Sequence, residues 1–145
     1  IEVSGVKKKV HLKGFVDRID SIDGKFRIID YKSGKVKQED TSTVKKKVDL
    51  EKVIQGCLSK KHVLQLIMYC YLFKVNFGEL PREASIISFI NIQDGVIPLE
   101  TGDMELAEVV DLFPSILEAI INEIYDTEVP FSHDDSKQFS YCAYC

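Results

Sequence analysis

The sequence predicts an α/β domain in three layers, with a mixed central sheet flanked by helices, and three observations carry that expectation. Two runs rich in Ile, Phe, Val and Tyr flank Asp23-Gly24, among the strongest short-range signals for a two-residue hairpin turn. The stretch from Ser59 to about Phe77 is too long for a strand, and between Val63 and Phe73 it is apolar nearly all round, which marks a buried helix. A second strand pair then precedes a long helical stretch in the C-terminal half.

Length and composition set the bounds. At 145 residues the chain fits one domain, 1–145, and 45% hydrophobic with 29% charged residues reads as globular rather than disordered. No run approaches the roughly 20 apolar residues that span a bilayer, and the Lys-rich start lacks the apolar core of a signal peptide. The chain starts on Ile1 and ends on Cys145, so an excised piece of a larger, cytoplasmic protein is expected. Its charge is uneven: residues 1–74 hold 17 of the 19 Lys and Arg against 9 acids, and residues 75–145 hold 2 against 14. The basic half includes Lys7 to Lys9, Lys13, Lys35, Lys37, Lys45 to Lys47, Lys60 and Lys61, which together suit a phosphate-tracking surface.

In chain order, Glu2 to Lys13 reads as one or two short strands or a turn around Ser4-Gly5. The hairpin follows, and if its turn is Asp23-Gly24, residues whose numbers add to 47 lie opposite one another. Lys35 to Thr43 is loop-like, Val44 to Ile54 a short helix interrupted at Gly56, and Ser59 a cap for the long helix, which Gly78 and Pro81 stop. Glu83 to Ile92 is a buried strand, turning at Gln93-Asp94-Gly95 into Val96 to Leu99. Asp103 to Tyr125 is a long helix capped by Thr101 or Asp103 and kinked at Pro114.

The period-2 rule puts Asp17, Asp30 and Lys32 on one face of the hairpin, with Asp17 opposite Asp30, and a cross-strand Asp20/Arg27 pair on the other. A four-residue loop would keep the three together, whereas a one-residue bulge would not. Opposed carboxylates with Cβ atoms about 5 Å apart repel, and one lysine does not neutralise two, so a divalent cation is the natural third party. His11 shares the face but lies roughly 20 Å along the strand.

G-F-V-D-R-I-D followed by I-I-D-Y-K-S-G resembles the metal-binding core of the PD-(D/E)xK nuclease superfamily, specifically its RecB/AddB-like exonuclease branch. The resemblance implies a restriction-endonuclease-like core in which Asp17 and Asp30 are metal-binding carboxylates, the Tyr31 carbonyl is a further ligand, and Lys32 is the catalytic lysine. Mg²⁺ or Mn²⁺ is the implied cofactor and DNA the substrate. Gln65 and Tyr69 share a helix face at i, i+4 and resemble the branch's Q-x-x-x-Y element, which implies contact with substrate beside the metal, with Lys60 and Lys61 adding phosphate affinity. Relatives usually add a His or Glu from a helix preceding the sheet, which implies a ligand upstream of Ile1.

Cys142-Ala-Tyr-Cys145 has the spacing of half a tetrahedral metal site. F-S-Y-C-A-Y-C resembles the segment, here 139–145, that closes an iron–sulfur cluster in AddB-like domains. The parent implied is a helicase-nuclease in double-strand break repair; a CRISPR-associated RecB-like exonuclease and a catalytically inactive nucleic-acid-binding relative are the alternatives.

Overall fold

The computed structural model describes residues 1–3, 5–43 and 50–128. Lys45 to Lys47, the start of the helix expected from Val44, and the tail with Cys142 and Cys145 lie outside the described residues. Strands β1 (Glu2–Val3) and β2 (Val6–Lys7) form a small antiparallel ribbon. Strands β3 (Arg18–Ile22) and β4 (Lys25–Lys32) form the expected hairpin. Asp23 and Gly24 have φ of 52° and 75°, the two positive values a type I′ turn requires, and Asp and Gly tolerate them best. Every pair from Ile22↔Lys25 to Arg18↔Ile29 keeps the register read from that turn.

Strand β4 next pairs in parallel with β5 (Glu83–Ser88), and β5 pairs antiparallel with β6 (Ile97–Pro98), giving a mixed sheet in the order β3-β4-β5-β6. A parallel neighbour requires a crossover, and α1 (Leu50–Leu58) and α2 (Lys61–Phe77) supply it. Helix α2 packs on the sheet with one side, through Leu66, Tyr69, Cys70 and Phe73 against Ile28, Ala84 and Ile86. Its other side, Val63 and Ile67, meets Val53 and Cys57 of α1 and a C-terminal helical pair, α3 (Leu106–Asp111) and α4 (Phe113–Tyr125). A helix buried on two sides must be apolar nearly all round, as its sequence is. It ends on Gly78, left-handed at φ 77°, whose N–H donates to the Lys74 carbonyl.

Four expectations for the helices are corrected. Helix α1 runs through Gly56, because burial of Val53 and Cys57 against α2 outweighs the glycine's cost of about 1 kcal/mol. Ser59 donates its hydroxyl to the Gly56 carbonyl, so Lys60 starts α2 with no side-chain cap. The stretch 103–125 is two helices: Pro114 stands in the first turn of α4, where a missing N–H costs nothing, and so starts a helix instead of kinking one. The cap of α3 is Glu105, whose N–H donates to the Glu108 carboxylate, while Thr101 donates to the Met104 carbonyl.

The strand expected to reach Ile92 stops at Ser88, where side chains replace the ladder. Buried Asn91 donates from Nδ2 to the Val36 carbonyl at 2.8 Å and accepts from the Val36 N–H at 3.3 Å, and the Ser88 hydroxyl donates to the Gly34 carbonyl at 2.8 Å. The loop leaving Lys32 is thereby tied to the end of β5. Asn91→Ala strands two buried backbone groups and is expected to cost about 2–4 kcal/mol, read from the shift in urea midpoint at constant slope.

Candidate active site

Asp30 and Lys32 lie two residues apart on β4 and face α2, from which Gln65 approaches. Asp30 is only 3% exposed, and a carboxylate so enclosed needs charged or hydrogen-bonding partners. The Lys32 ammonium stands 2.7 Å from Asp30 Oδ2, and Gln65 Nε2 donates to Asp30 Oδ1 at 3.2 Å. Gln65 closes the ring by accepting from Lys32 Nζ at 2.8 Å, and its Nε2 also donates to the Tyr69 hydroxyl at 2.8 Å. Four residues read separately from strand and helix thus form one polar network at the wall of the apolar core.

Asp17 immediately precedes β3, whose paired register ends at Arg18↔Ile29. It is exposed, and its Oδ2 accepts the Tyr31 N–H at 2.9 Å. The N–H and C=O of one residue in an extended strand point to the same side, so the Tyr31 carbonyl also faces the Asp17 edge. The two carboxylates are therefore not equivalent: one is buried against a lysine, the other open and held by a backbone amide.

Among the described residues, no three His, Cys, Asp or Glu side chains gather into a metal-binding group. The donors present still fit a hard cation. Asp30 Oδ2 is buried, and its contact among the described residues is the Lys32 ammonium at 2.7 Å. Two carboxylates and a carbonyl suit Mg²⁺ or Mn²⁺, since Mg²⁺ keeps several waters and is usually held by one or two carboxylates together with substrate phosphate.

Lys60 and Lys61 differ in their surroundings. The Lys60 ammonium donates to the carbonyls of Glu39 (2.8 Å) and Ser42 (2.9 Å), fastening the segment 39–42 to the start of α2. Lys61 is exposed and lines a cleft with Lys35, Asp40 and His62. His62 was not singled out from the sequence, yet it lies three residues before Gln65, a spacing that puts both on one helix face. Its Nδ1 is buried without a partner among the described residues. Burial first, then the positive charges of Lys32 and Lys61, hold its pKa below the ordinary 6.5 against the opposing pull of Asp40 and Asp30.

On the opposite face of the hairpin, the expected pair forms as a double contact from Arg27 to Asp20 at 2.8 and 2.9 Å, joined by Arg18 at 2.7 Å. The hydrogen bond from Arg27 and the nearby charges hold the Asp20 carboxyl below its usual range. Cys57 and Cys70 are buried free thiols, their pKa pushed by burial up to about 11 and about 12, so they are packing residues.

The family description that matches the chain is the PD-(D/E)XK nuclease superfamily, over residues 1–145. No curated protein and no solved structure gave a significant match.

Asp30→Ala removes the counter-ion of Lys32 and an acceptor of Gln65. The expected loss is about 2–3 kcal/mol, below the full cost of breaking a buried pair because Lys32 is 24% exposed. Asp17→Asn keeps an acceptor for the Tyr31 N–H and is expected to change stability by less than about 0.5 kcal/mol; parallel denaturation curves compare the two. His62 predicts a pH effect. Its folded pKa is below 6.5, so the unfolded chain binds the extra proton first, and stability falls as pH drops through 6.5 toward the folded value. His62→Gln should flatten the pH 5–7 stability curve relative to wild type in metal-free buffer, and identical curves would remove His62 as the cause.

Proposed function

We propose that this chain, which belongs to the PD-(D/E)XK nuclease superfamily, hydrolyses DNA phosphodiester bonds with Asp17, Asp30 and Lys32 as its catalytic set. The observation that carries the reading is the buried Asp30 carboxylate, whose Oδ2 has, among the described residues, the Lys32 ammonium alone for company. A core carboxylate held this way is costly for stability alone and apt for a site that binds cations.

Asp17, Asp30 and the Tyr31 carbonyl would hold Mg²⁺ or Mn²⁺. Bound there, the ion supplies Lewis-acid charge and a water of lowered pKa. Lys32 carries a compact charge on a flexible stem, which suits it to orient the attacking water and to meet negative charge developing on the phosphate. Gln65 fixes the ammonium and the carboxylate relative to each other, and Tyr69 fixes Gln65. Both side chains of the Q-x-x-x-Y pair thus act on the charged groups before any contact with the strand.

The narrower assignment is an exonuclease domain of a helicase-nuclease acting in DNA repair and recombination. It rests on the two hairpin motifs together with Gln65 and Tyr69, and on the Cys142/Cys145 pair as part of an iron–sulfur closing segment.

Lys32→Ala or Asp30→Ala is expected to reduce cleavage of end-labelled DNA by about 10²–10³-fold or more while DNA binding persists. Single- and double-stranded substrates with Mg²⁺, Mn²⁺ or EDTA give the readout. Near-normal cleavage by Lys32→Ala would defeat the assignment of the lysine.

A further inference from the structure

The residues that face Asp30 and Lys32 from α2 form a row. Tyr69, Gln65 and His62 succeed one another at spacings of four and three, which places them along one side of the helix over about 10 Å. At the N-terminal end of that row opens a cleft of about 600 Å³, lined by Lys35, Asp40, Lys61 and His62. The cleft and the network around Asp30 share the same wall of α2, and His62 is near enough to both for Lys32, Lys61, Asp40 and Asp30 all to act on its charge.

The charges in the cleft are not all alike. Lys60 spends its ammonium on two backbone carbonyls, and Asp40 Oδ2 accepts the Lys37 N–H. The ammonium groups of Lys35 and Lys61 make no hydrogen bond or ion pair among the described residues. Two uncommitted ammonium groups beside one partly committed carboxylate leave a net demand for an anion.

His62 adds a directional group. Its Nδ1 is buried with no partner among the described residues, and a buried N–H left unpaired is rarer in folded proteins than a bare acceptor. We assign the proton of the neutral ring to Nε2, which makes that nitrogen the ring's hydrogen-bond donor.

We propose that this cleft seats the backbone phosphate next to the one being cut, with Lys35 and Lys61 supplying charge and His62 Nε2 a hydrogen bond. The inference rests on the nuclease reading for the identity of its ligand. A strand with its scissile phosphate at Lys32 and running toward His62 carries a neighbouring phosphate to the cleft, while Tyr69, 6% exposed, stays behind Gln65 and out of the strand's path. The subsite fixes register along the strand, so it positions the bond to be cut without taking part in the chemistry.

The test pairs protein variants with oligonucleotides in which one phosphate at a time is a neutral methylphosphonate. Binding is read by fluorescence anisotropy in EDTA, and cleavage separately with Mg²⁺ or Mn²⁺. In wild type, neutralising one phosphate beside the cut bond should weaken binding about tenfold. Lys35→Ala/Lys61→Ala should weaken binding of the unmodified strand to a similar degree, lower the slope of log affinity against log salt by about one to two, and lose sensitivity to that methylphosphonate. His62→Gln, which keeps an N–H donor, should retain more affinity than His62→Ala. Equal methylphosphonate effects in wild type and double variant at every position would overturn the subsite. A wild type that shows the coupling but cuts nothing fails the nuclease reading and keeps the phosphate seat, and one that cuts without the coupling fails the seat alone.

Discussion

A carboxylate buried to 3% exposure has to be answered by something, and here the answer is one lysine and one glutamine. Much of the arrangement depends on that constraint. Gln65 reaches both Lys32 and Asp30 only if α2 crosses β4 at a fixed height, so the polar ring sets the helix on the sheet as the apolar contacts of Leu66 and Phe73 do. Hydrophobic contact alone is non-directional and tolerates sliding. The hydrogen bonds do not, since each requires donor and acceptor within a few tenths of an ångström. The site is thus a cost to the fold and also a source of its definition.

The strand bearing these residues is braced at its far end. Lys32 is followed by a loop whose Gly34 and Val36 backbone groups are held by Ser88 and Asn91, and the Phe89 N–H donates to the Lys32 carbonyl at 2.9 Å. Tyr31 stacks on Phe89 with ring centres 5.6 Å apart. These contacts lie on the chain segments immediately after β4 and β5, so the two parallel strands end together and in register. A lysine on a flexible stem is a precise tool only when its backbone is fixed in this way.

Much of the site was legible because the hairpin's register follows from a single dipeptide. Asp23-Gly24 admits one turn geometry well, and once the turn is set, period-2 alternation assigns the faces of the paired residues from Arg18 to Ile22 and from Lys25 to Ile29. The inequality of the two aspartates was not legible, since burial depends on where α2 lies and not on strand spacing. Symmetric repulsion between Asp17 and Asp30 was the natural expectation, but Lys32 answers one carboxylate and the Tyr31 amide the other. Helix ends were misread for a related reason: Gly56, Pro114 and Ser59 carry local preferences worth about 1 kcal/mol, and tertiary contacts or alternative partners outweigh or redirect them. His62 escaped notice because a lone histidine has no signal until the helix face it shares with Gln65 is known to meet charge.

Helix α2 has three jobs on three sides, and at 100° per residue one helix can perform them together. Leu66, Cys70 and Phe73 belong to the sheet, Val63 and Ile67 to the other helices, and His62, Gln65 and Tyr69 to the polar wall. Tyr69 stands on the border, packed in the sheet-side core while its hydroxyl receives Gln65. Gly14 passes so close to it that an added Cβ would stand 3.1 Å from the tyrosine ring and 3.2 Å from Leu72, so even the chain entering the hairpin is shaped to this helix. The consequence is mechanical. Met68 and Tyr71 touch both apolar clusters, which joins the two cores and the site through α2. A methyl group lost from Val63 or Ile67 opens a cavity on the helical side, and any turn of α2 into it would move Gln65 off Asp30. In this fold the packing far from the carboxylates sets how well they are held.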